Sequence, residues 1–347
     1  MVHGESEMSK PIMKQLDEPA RQPPKALGSS PRRTLVILAF AAIYLIWGST
    51  YLAIRYAIET LPPFLMAATR FITAGTILFI WAIVTRQRLT ASRSDWTRAF
   101  IIGALLLLCG NGGVTWAEKH IPSGLAALLV ATEPFWVVIF NWILGHKKPS
   151  AKVWLGVVVG LAGVALLVSG EFGGNQKSSS ALLGAVVVVL SGLAWAGGSV
   201  YANHHRINAS TSVASGMQML AGGSLLLLAG LVSGDFKKLS LASASWVSIG
   251  ALSYLIIFGS LIAFTAYSWL LRNVAPAQAA TYAYVNPVVS VLLGWLIASE
   301  PIRPLTLVAA TIIVGSVVLI TTYSHESSAE TQKKMRDDDS CAPHPCA

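Results

Sequence analysis

Ten long apolar runs dominate this chain and restrict what it can fold into. At 1.5 Å per residue, each run is long enough to cross about 30 Å of bilayer hydrocarbon as an α-helix. Lipid offers backbone groups no hydrogen-bond partner, and the runs are too long for barrel strands, so spanning helices are required. The sequence therefore predicts an all-α polytopic membrane protein with ten transmembrane helices. The predicted spans are 35–57, 64–85, 98–116, 123–144, 152–170, 181–203, 212–233, 246–270, 276–298 and 305–323.

Composition agrees with a membrane protein and argues against other classes. Charged residues make up 12% of the 347 residues and hydrophobic ones 54%, whereas soluble proteins carry about 25% charged residues. The net charge of +9 lies mostly in tails and short loops, so binding to nucleic acid is not predicted. Cys341 and Cys346 flank His344 in a short tail, and neither a metal site nor a disulfide framework is predicted from this spacing.

Lys and Arg in the loops predict the orientation. One set of alternate loops carries nine of them and the other set five, and the first set lies on the same side as both basic tails. Both termini are therefore predicted to be cytoplasmic, in a multi-pass protein of the inner (cytoplasmic) membrane. The polar tails, 1–34 and 324–347, are predicted to be disordered.

The chain repeats itself. Shifting span 4 by 153 residues places Ala126, Pro134 and Trp142 on Ala279, Pro287 and Trp295. Because each unit contains an odd number of spans, the second must enter the membrane from the opposite side. The sequence thus predicts two inverted five-helix repeats, 35–170 and 181–323, joined by a Ser-rich linker at 171–180.

A polar residue precedes proline near the middle of a span in each half: Glu133-Pro134 in span 4 and Asn286-Pro287 in span 9. Proline removes a helix hydrogen bond, and paired breaks at mid-membrane mark the central site of many transporters. Both prolines are predicted helix breaks, although a simple bend that shapes packing is an alternative.

Polar and aromatic side chains recur four residues apart in several spans and so share a helix face. Either they form interhelical hydrogen bonds or they line a common polar cavity. The stripes are Tyr44, Trp47, Tyr51 and Arg55 in span 1; Asn111 and Thr115 in span 3; Trp195, Ser199 and Asn203 in span 6; and Gln278, Tyr282, Asn286 and Ser290 in span 9.

Arg70 and Glu133 lie well inside their spans, where an isolated charge is costly. Arg70 either extends toward the membrane surface or faces the cavity. Glu133 lies deeper, which leaves an ion pair, a protonated resting state or contact with substrate; burial would suit it to carry a proton. In span 5, Gly156 and Gly160 predict close helix packing, with a homodimer contact as the alternative.

Three segments resemble the EamA-type exporters of the drug/metabolite transporter superfamily. They are Tyr44-Leu-Ile-Trp-Gly-Ser-Thr-Tyr51, Arg70-Phe71, and Ile121-Pro-Ser-Gly-Leu-Ala-Ala-Leu-Leu129 leading to Pro134. The resemblance covers about residues 35–323, and Gly110-Asn-Gly-Gly-Val-Thr-Trp116 is similar to the YedA-like branch. It implies a cavity lined by spans 1–4 and 6–9, export of small metabolites or toxic compounds, and roles for Trp47, Arg70, Asn111 and Pro134. Glu133 departs from the resemblance, because this position is often neutral in the family.

The expected function is export of a small metabolite, amino-acid-like or amphipathic, by alternating access, with Glu133 as the candidate for proton coupling. No cofactor is expected. The alternatives are a multidrug exporter, a membrane sensor and a membrane-embedded enzyme; the enzyme is disfavoured because the spans contain no aspartate or nucleotide-binding motif. The predicted substrate-binding residues are Trp47, Tyr51, Arg70, Asn111, Glu133, Trp195, Tyr282 and Asn286.

Overall fold

The computed structural model describes residues 30–89, 91–145, 148–172 and 179–340, and within these ranges the regular structure is helical. The chain divides into two compact units, Met1–Ile37 and Leu38–Ala347. The described part of the first unit is the beginning of one helix, and every contact reported below lies in the second unit. The tail cysteines, Cys341 and Cys346, lie outside the described residues.

The first half contains seven α-helices and one π-helix among its described residues. They are α1 (Ser30–Ala57), α2 (Pro63–Val84), α3 (Arg93–Ile102), π1 (Gly103–Gly112), α4 (Gly113–Ala117), α5 (Ser123–Val130), α6 (Glu133–Ile143) and α7 (Ala151–Phe172).

The second half follows the same order, with a short insertion after its second helix. Its elements are α8 (Ser179–His204), α9 (Thr211–Val232), α10 (Asp235–Lys238), the 3₁₀ turn Leu241–Ser243, α11 (Trp246–Tyr254), π2 (Leu255–Phe264), α12 (Thr265–Asn273), α13 (Pro276–Ala279), α14 (Tyr282–Ala298) and α15 (Pro304–Ser340).

In the described part of the chain, eight helical stretches are long and apolar enough to cross a membrane. They correspond to predicted spans 1–8. Two shorter apolar helices, Val285–Ala298 and Pro304–Ile320, lie where spans 9 and 10 were predicted.

The third span begins five residues earlier than its predicted start at Arg98. Ser92 and Asp95 close a capping box, in which the Ser92 hydroxyl accepts from the Asp95 backbone N–H and the Asp95 carboxylate accepts from the Ser92 N–H. This pairing satisfies the free N–H groups of the first turn, so a polar sequence can still begin a helix. Asp95, expected in a loop, is therefore in the first turn of α3.

Spans 4 and 9 are both interrupted, but their prolines lie differently relative to the interruption. Span 4 is interrupted between Val130 and Glu133, so Pro134 lies in the first turn of α6. Span 9 is interrupted between Ala279 and Tyr282, and Pro287 lies inside the continuous helix α14. A proline inside a helix can be accommodated at the loss of one hydrogen bond, so the prediction of a break at Pro287 is wrong.

Helices α2 and α9, the second spans of the two halves, pack against each other through glycines. A Cβ on Gly216 would contact Phe79, one on Gly223 would contact Ile72 and one on Gly230 would contact Leu65. The numbering rises along one helix as it falls along the other, so the two helices are antiparallel. Small residues let the backbones approach closely, as is common between membrane helices.

Helices α7 and α15, the fifth spans, pack in the same manner. Gly156 lies against Ile320, Gly160 against Ser316 and Gly163 against Ile313. The close packing predicted for these glycines therefore exists within one chain, again with antiparallel helices.

The third span of each half contains a π-helix at the same place in the repeat. Gly103–Gly112 and Leu255–Phe264 are each ten residues long. A π-helix widens the turn and often lies at a functional site. Both segments contribute to the central cavity described below.

Residues near two of the predicted boundaries are helical. Helix α15 continues to Ser340, through residues 324–340, which were predicted to be a disordered tail. An existing helix extends without a new nucleation cost, so a polar sequence of adequate propensity can continue it. Phe172 still belongs to α7 and Ser179 already to α8, while residues 173–178 of the predicted linker lie outside the described residues.

Candidate functional site

A cluster of aromatic rings lies at the centre of the bundle. The ring centroid of Trp47 lies 5.5 Å from Trp195, 4.9 Å from Tyr267 and 5.0 Å from Tyr282. The Trp47–Trp195 and Trp47–Tyr282 pairs are edge-to-face, an arrangement that favours aromatic pairs beyond their area burial. The indole Nε1 of Trp195 donates to the Tyr267 hydroxyl at 3.2 Å. The cluster brings together side chains from four predicted spans.

A cavity of about 60 Å³ lies next to this cluster. It extends along α1 to Ile54 and along α4 to Val114. These two residues lie toward the end of the bundle where α1 and α4 finish and α2 and α5 begin, which we call the Arg55 end. The opposite end, where α12 finishes, we call the Arg272 end.

A second cavity, of about 20 Å³, lies toward the Arg272 end and is lined by Arg206, Arg272 and Ser268 among others. On α12 and the preceding π2, Phe264 lines the first cavity and Ser268 the second, with Tyr267 between them. Along this span the second cavity therefore lies nearer the Arg272 end than the first.

Arg70 is buried and lines the central cavity, so it does not extend to the membrane surface. Its Nε donates to the Ser260 hydroxyl at 2.8 Å and its guanidinium lies 4.7 Å from the centre of the Phe71 ring. One of its terminal nitrogens is buried without a hydrogen-bond partner. An unpaired guanidinium N–H in an apolar interior is costly, and an anionic ligand would remove that cost.

Gly259 makes room for this arrangement. Its carbonyl accepts a hydrogen bond from the Trp47 indole at 3.3 Å, and a Cβ at this position would lie 2.8 Å from the Arg70 guanidinium. Gly110 has the same role on the other side, because its Cβ would lie 2.8 Å from the Trp195 ring. Each of these glycines belongs to one of the two π-helices.

Glu133 lies behind the cavity wall rather than in it. It is fully buried and accepts a hydrogen bond from the hydroxyl of Tyr282, which itself lines the cavity. Its second carboxylate oxygen is buried without a partner. Direct contact between Glu133 and the contents of this cavity would require Tyr282 to move.

Asn286 lines the cavity with its amide unused. Neither its oxygen nor its nitrogen has a hydrogen-bond partner, and the residue is 2% exposed. Buried amides are usually satisfied, so this group is suited to a ligand that both donates and accepts.

Seven of the eight predicted site residues line the cavity: Trp47, Tyr51, Arg70, Asn111, Trp195, Tyr282 and Asn286. Glu133 is the exception. The polar stripes also supply interhelical hydrogen bonds, from Tyr44 to Thr281 at 2.7 Å and from Asn203 to the Leu271 carbonyl at 2.7 Å. Some stripe residues therefore line the cavity, and others form interhelical hydrogen bonds.

Sequence reasoning missed Tyr267, which is fully buried and contacts three of the cluster's rings. The residues four before and four after it, Ala263 and Leu271, are apolar, so the four-residue spacing does not single it out. The repeat does contain a signal: a shift of 152 residues, which relates the two π-helices, places Tyr267 on Thr115, already a member of a predicted stripe.

The model of the EamA-like transporter family matches this chain twice, over residues 34–169 and 182–322. The chain belongs to the EamA-like transporter family. The two matches agree closely with the two predicted repeats, 35–170 and 181–323. They also place the aromatic cluster across both EamA units, with Trp47 from the first and Trp195, Tyr267 and Tyr282 from the second.

Relatives from two bacteria extend over most of this EamA protein. An inner membrane transporter of Escherichia coli K12, YedA, is 41% identical over 285 residues, which is 82% of this chain and 89% of YedA. The transporter YvbV of Bacillus subtilis is 27% identical over 301 residues, 86% of this chain and 94% of YvbV. The predicted resemblance to the YedA-like branch is confirmed.

A solved crystal structure has the same fold. It superposes with a TM-score of 0.62 at 21% identity and covers 84% of this chain and 98% of its own. At this identity the likeness concerns the fold alone.

Proposed function

We propose that this protein is a secondary transporter of the cytoplasmic membrane that exports a small, amino-acid-like or amphipathic metabolite. One observation carries the proposal: a central aromatic cavity whose wall contains two buried polar groups, on Arg70 and Asn286, with unused hydrogen-bonding capacity. A purely structural core would leave neither group unsatisfied.

Recognition follows from the chemistry of the cavity wall. The unpaired nitrogen of Arg70 attracts a carboxylate, and the amide of Asn286 fixes orientation by donating and accepting. Trp47, Trp195 and Tyr282 pack against an apolar side chain and attract a cationic group through their ring faces.

We propose further that ten helices form two repeats of opposite orientation, with both termini in the cytoplasm. The family model matches twice, and two pairs of repeat-related helices pack antiparallel, α2 with α9 and α7 with α15. The aromatic cluster between two cavities then acts as the barrier around which the repeats rock during alternating access.

Proton coupling through Glu133 is the third part of the proposal. The carboxylate hydrogen-bonds Tyr282, a residue of the cavity wall, so a change in its protonation acts directly on that wall. Loss or gain of the proton exchanges donor and acceptor in this pair and thereby changes the position that Tyr282 prefers.

The test begins with a thermal-shift screen of purified protein against amino acids and aromatic cations. A ligand that binds the folded state raises the melting temperature. The best ligand is then used to measure counterflow and pH-driven efflux in proteoliposomes, which identify transport. A ligand that binds without counterflow would favour the sensor alternative.

Glu133→Gln tests the coupling. We expect counterflow to continue, because exchange needs no net proton movement, while efflux driven by a pH gradient is lost. The control is Glu59→Gln, which changes an exposed carboxylate and keeps both activities. If pH-driven efflux by Glu133→Gln equalled that of the parent, Glu133 would have no coupling role.

A further inference from the structure

A second buried carboxylate, Glu118, has no part in the site described above. It is the C-terminal cap of α4, it is 3% exposed, and both of its oxygens are buried without a hydrogen-bond partner. A charged group in this condition would be costly to bury. Sequence reasoning did not single it out, because it stands at the edge of a span next to Lys119 and His120.

Glu118 lies beside a polar contact that holds three elements together at the Arg55 end. Glu300, just after α14, pairs with the guanidinium of Arg55 at 3.4 Å. The same carboxylate accepts from the backbone N–H and hydroxyl of Ser123 at 3.1 and 2.8 Å, and from the N–H of Gly124 at 3.2 Å. These bonds tie α1 and the chain after α14 to the start of α5, and we call them the Glu300 clasp.

The surroundings of Glu300 stabilise a negatively charged carboxylate, whereas those of Glu118 do not. Glu300 lies at a helix N-terminus, where free N–H groups and the helix dipole favour negative charge. Glu118 lies at a helix C-terminus, where the same dipole disfavours it. Burial and the neighbouring Glu300 carboxylate raise the pKa of Glu118 well above its usual range, although Arg55 acts in the opposite direction.

Few other charged groups lie near the Glu118 carboxylate. Tyr51 and Arg55 face it from α1 and Glu300 from beyond α14. The elements packed on α4 are α8, π1 and α2. Their titratable residues are Tyr201 and His204 near the far end of α8, Cys109 on π1 and Arg70 on α2. On its own segment, Lys119 and His120 are exposed.

We propose that Glu118 is a proton-binding site of the transporter, and that its protonation allows the Arg55 end to close. The inference rests on the proposed transport function. We assign the structure, in which the clasp is formed, to the closed state of this end. In this state a neutral Glu118 leaves Arg55 to Glu300 and the clasp intact. Deprotonated, Glu118 competes with Glu300 for Arg55 and repels the Glu300 carboxylate, which loosens the clasp and admits water.

The direction of the pH effect follows from linkage. Glu118 has a raised pKa in the closed state and regains an ordinary value once the open end is hydrated, so the closed state binds more protons. Acid therefore favours closure of the Arg55 end, and that preference is lost as the pH rises through the closed-state value.

Cysteine labelling tests the proposal without substrate. In a protein with Cys109, Cys341 and Cys346 changed to Ser, Ile54→Cys places a reporter on the cavity wall toward the Arg55 end. Its rate of reaction with a membrane-impermeant maleimide is measured in proteoliposomes from about pH 5 to about pH 8. Dividing it by the rate of Ser240→Cys, an exposed site at the same end, removes the pH dependence of the reagent.

We expect the normalised rate to rise several-fold toward high pH in the parent and in Glu118→Asp, which keeps a titrating carboxyl. Glu118→Gln mimics the protonated form and should stay slow throughout, whereas the control Glu59→Gln should follow the parent. A rate independent of pH in the parent, or an unchanged rise in Glu118→Gln, would overturn the proposal. Because no substrate is present, this outcome is separate from failure of the proposed transport function.

Discussion

At the scale of single residues, the site is defined by hydrogen-bonding groups that the protein itself does not use. Arg70 donates a hydrogen bond from Nε to Ser260 but leaves a terminal nitrogen unpaired, and the amide of Asn286 makes no hydrogen bond. Both residues are buried and leave hydrogen-bonding capacity unused, and a bound ligand would offset that cost. Burial without hydrogen-bond partners identifies them as candidate ligand-binding residues more firmly than polarity alone does.

Substitution of Arg70 tests this argument. Arg70→Gln should weaken the apparent affinity for a carboxylate-bearing substrate about ten- to a hundredfold, because a hydrogen bond to a charged group contributes about 1.5–3 kcal/mol. Arg70→Lys keeps the charge and should lose less. Substrate titrations of counterflow provide the measurement.

Ser260→Ala is the matched control for Arg70, since it removes the partner of Nε and leaves the guanidinium in place. It should change affinity far less than Arg70→Gln. Equal losses in the two variants would mean that affinity depends on the Arg70–Ser260 pair as a unit and not on the unpaired guanidinium nitrogen.

Most of the cavity wall could be predicted from the sequence because residues four apart share a helix face. This rule identified Trp47 and Tyr51 on α1, and Tyr282 and Asn286 on α14. It could not reveal that Tyr282 stands between Glu133 and the cavity, since helix spacing defines a face but not what lies in front of it. For the same reason, only three-dimensional contacts could reveal that both carboxylate oxygens of Glu118 are buried without a hydrogen-bond partner.

At the scale of helices, the glycines of α7 decide how closely that helix approaches α15. A Cβ on Gly160 would meet the Phe135 ring and lie 2.5 Å from the Ser316 hydroxyl. Gly315, on the partner helix, would meet nothing within 4 Å. The two glycines offer a comparison within one helix pair.

Gly160→Ala should lower stability by about 1–3 kcal/mol, the usual cost of overpacking. Gly315→Ala should be neutral or stabilise by up to about 1 kcal/mol, because alanine is the better helix former. Melting temperatures of the purified variants in detergent give the comparison. A Gly160→Ala protein as stable as the parent would mean that α7 and α15 can separate without penalty.

Apart from the extension of α15 to Ser340, the span boundaries were predictable to within about five residues because hydrophobicity determines which segments cross the membrane. The internal irregularities were not predictable. In the first half π1 packs against α8 and α9, in the second half π2 packs against α2, and no local sequence pattern encodes these contacts. The break in span 9 falls at Ala280–Thr281 rather than at Pro287, because a proline alters a helix without obliging it to stop.

At the scale of the whole molecule, the distribution of Lys and Arg assigns the two ends to the two sides of the membrane. The Arg55 end is expected to face outward and the Arg272 end the cytoplasm. Cavity geometry alone does not carry this information, because a bundle of helices fits a membrane in either orientation.

Labelling of intact cells tests the orientation. Ser240→Cys and Ser94→Cys place exposed thiols at the Arg55 and Arg272 ends without changing charge. An impermeant maleimide should label Ser240→Cys in intact cells and Ser94→Cys only after permeabilisation. The reverse pattern would place the termini outside and contradict the orientation.

The glycine contacts between the halves have a consequence for how the chain assembles. Along α2 and α9 the second half supplies three of the four glycine recesses, whereas along α7 and α15 the three filled recesses all belong to the first half. Two copies of the same half would therefore bring large side chains against large side chains at one of these helix pairs and glycines against glycines at the other. We expect that cutting the chain between the halves would leave two fragments that pair with each other in preference to a copy of themselves.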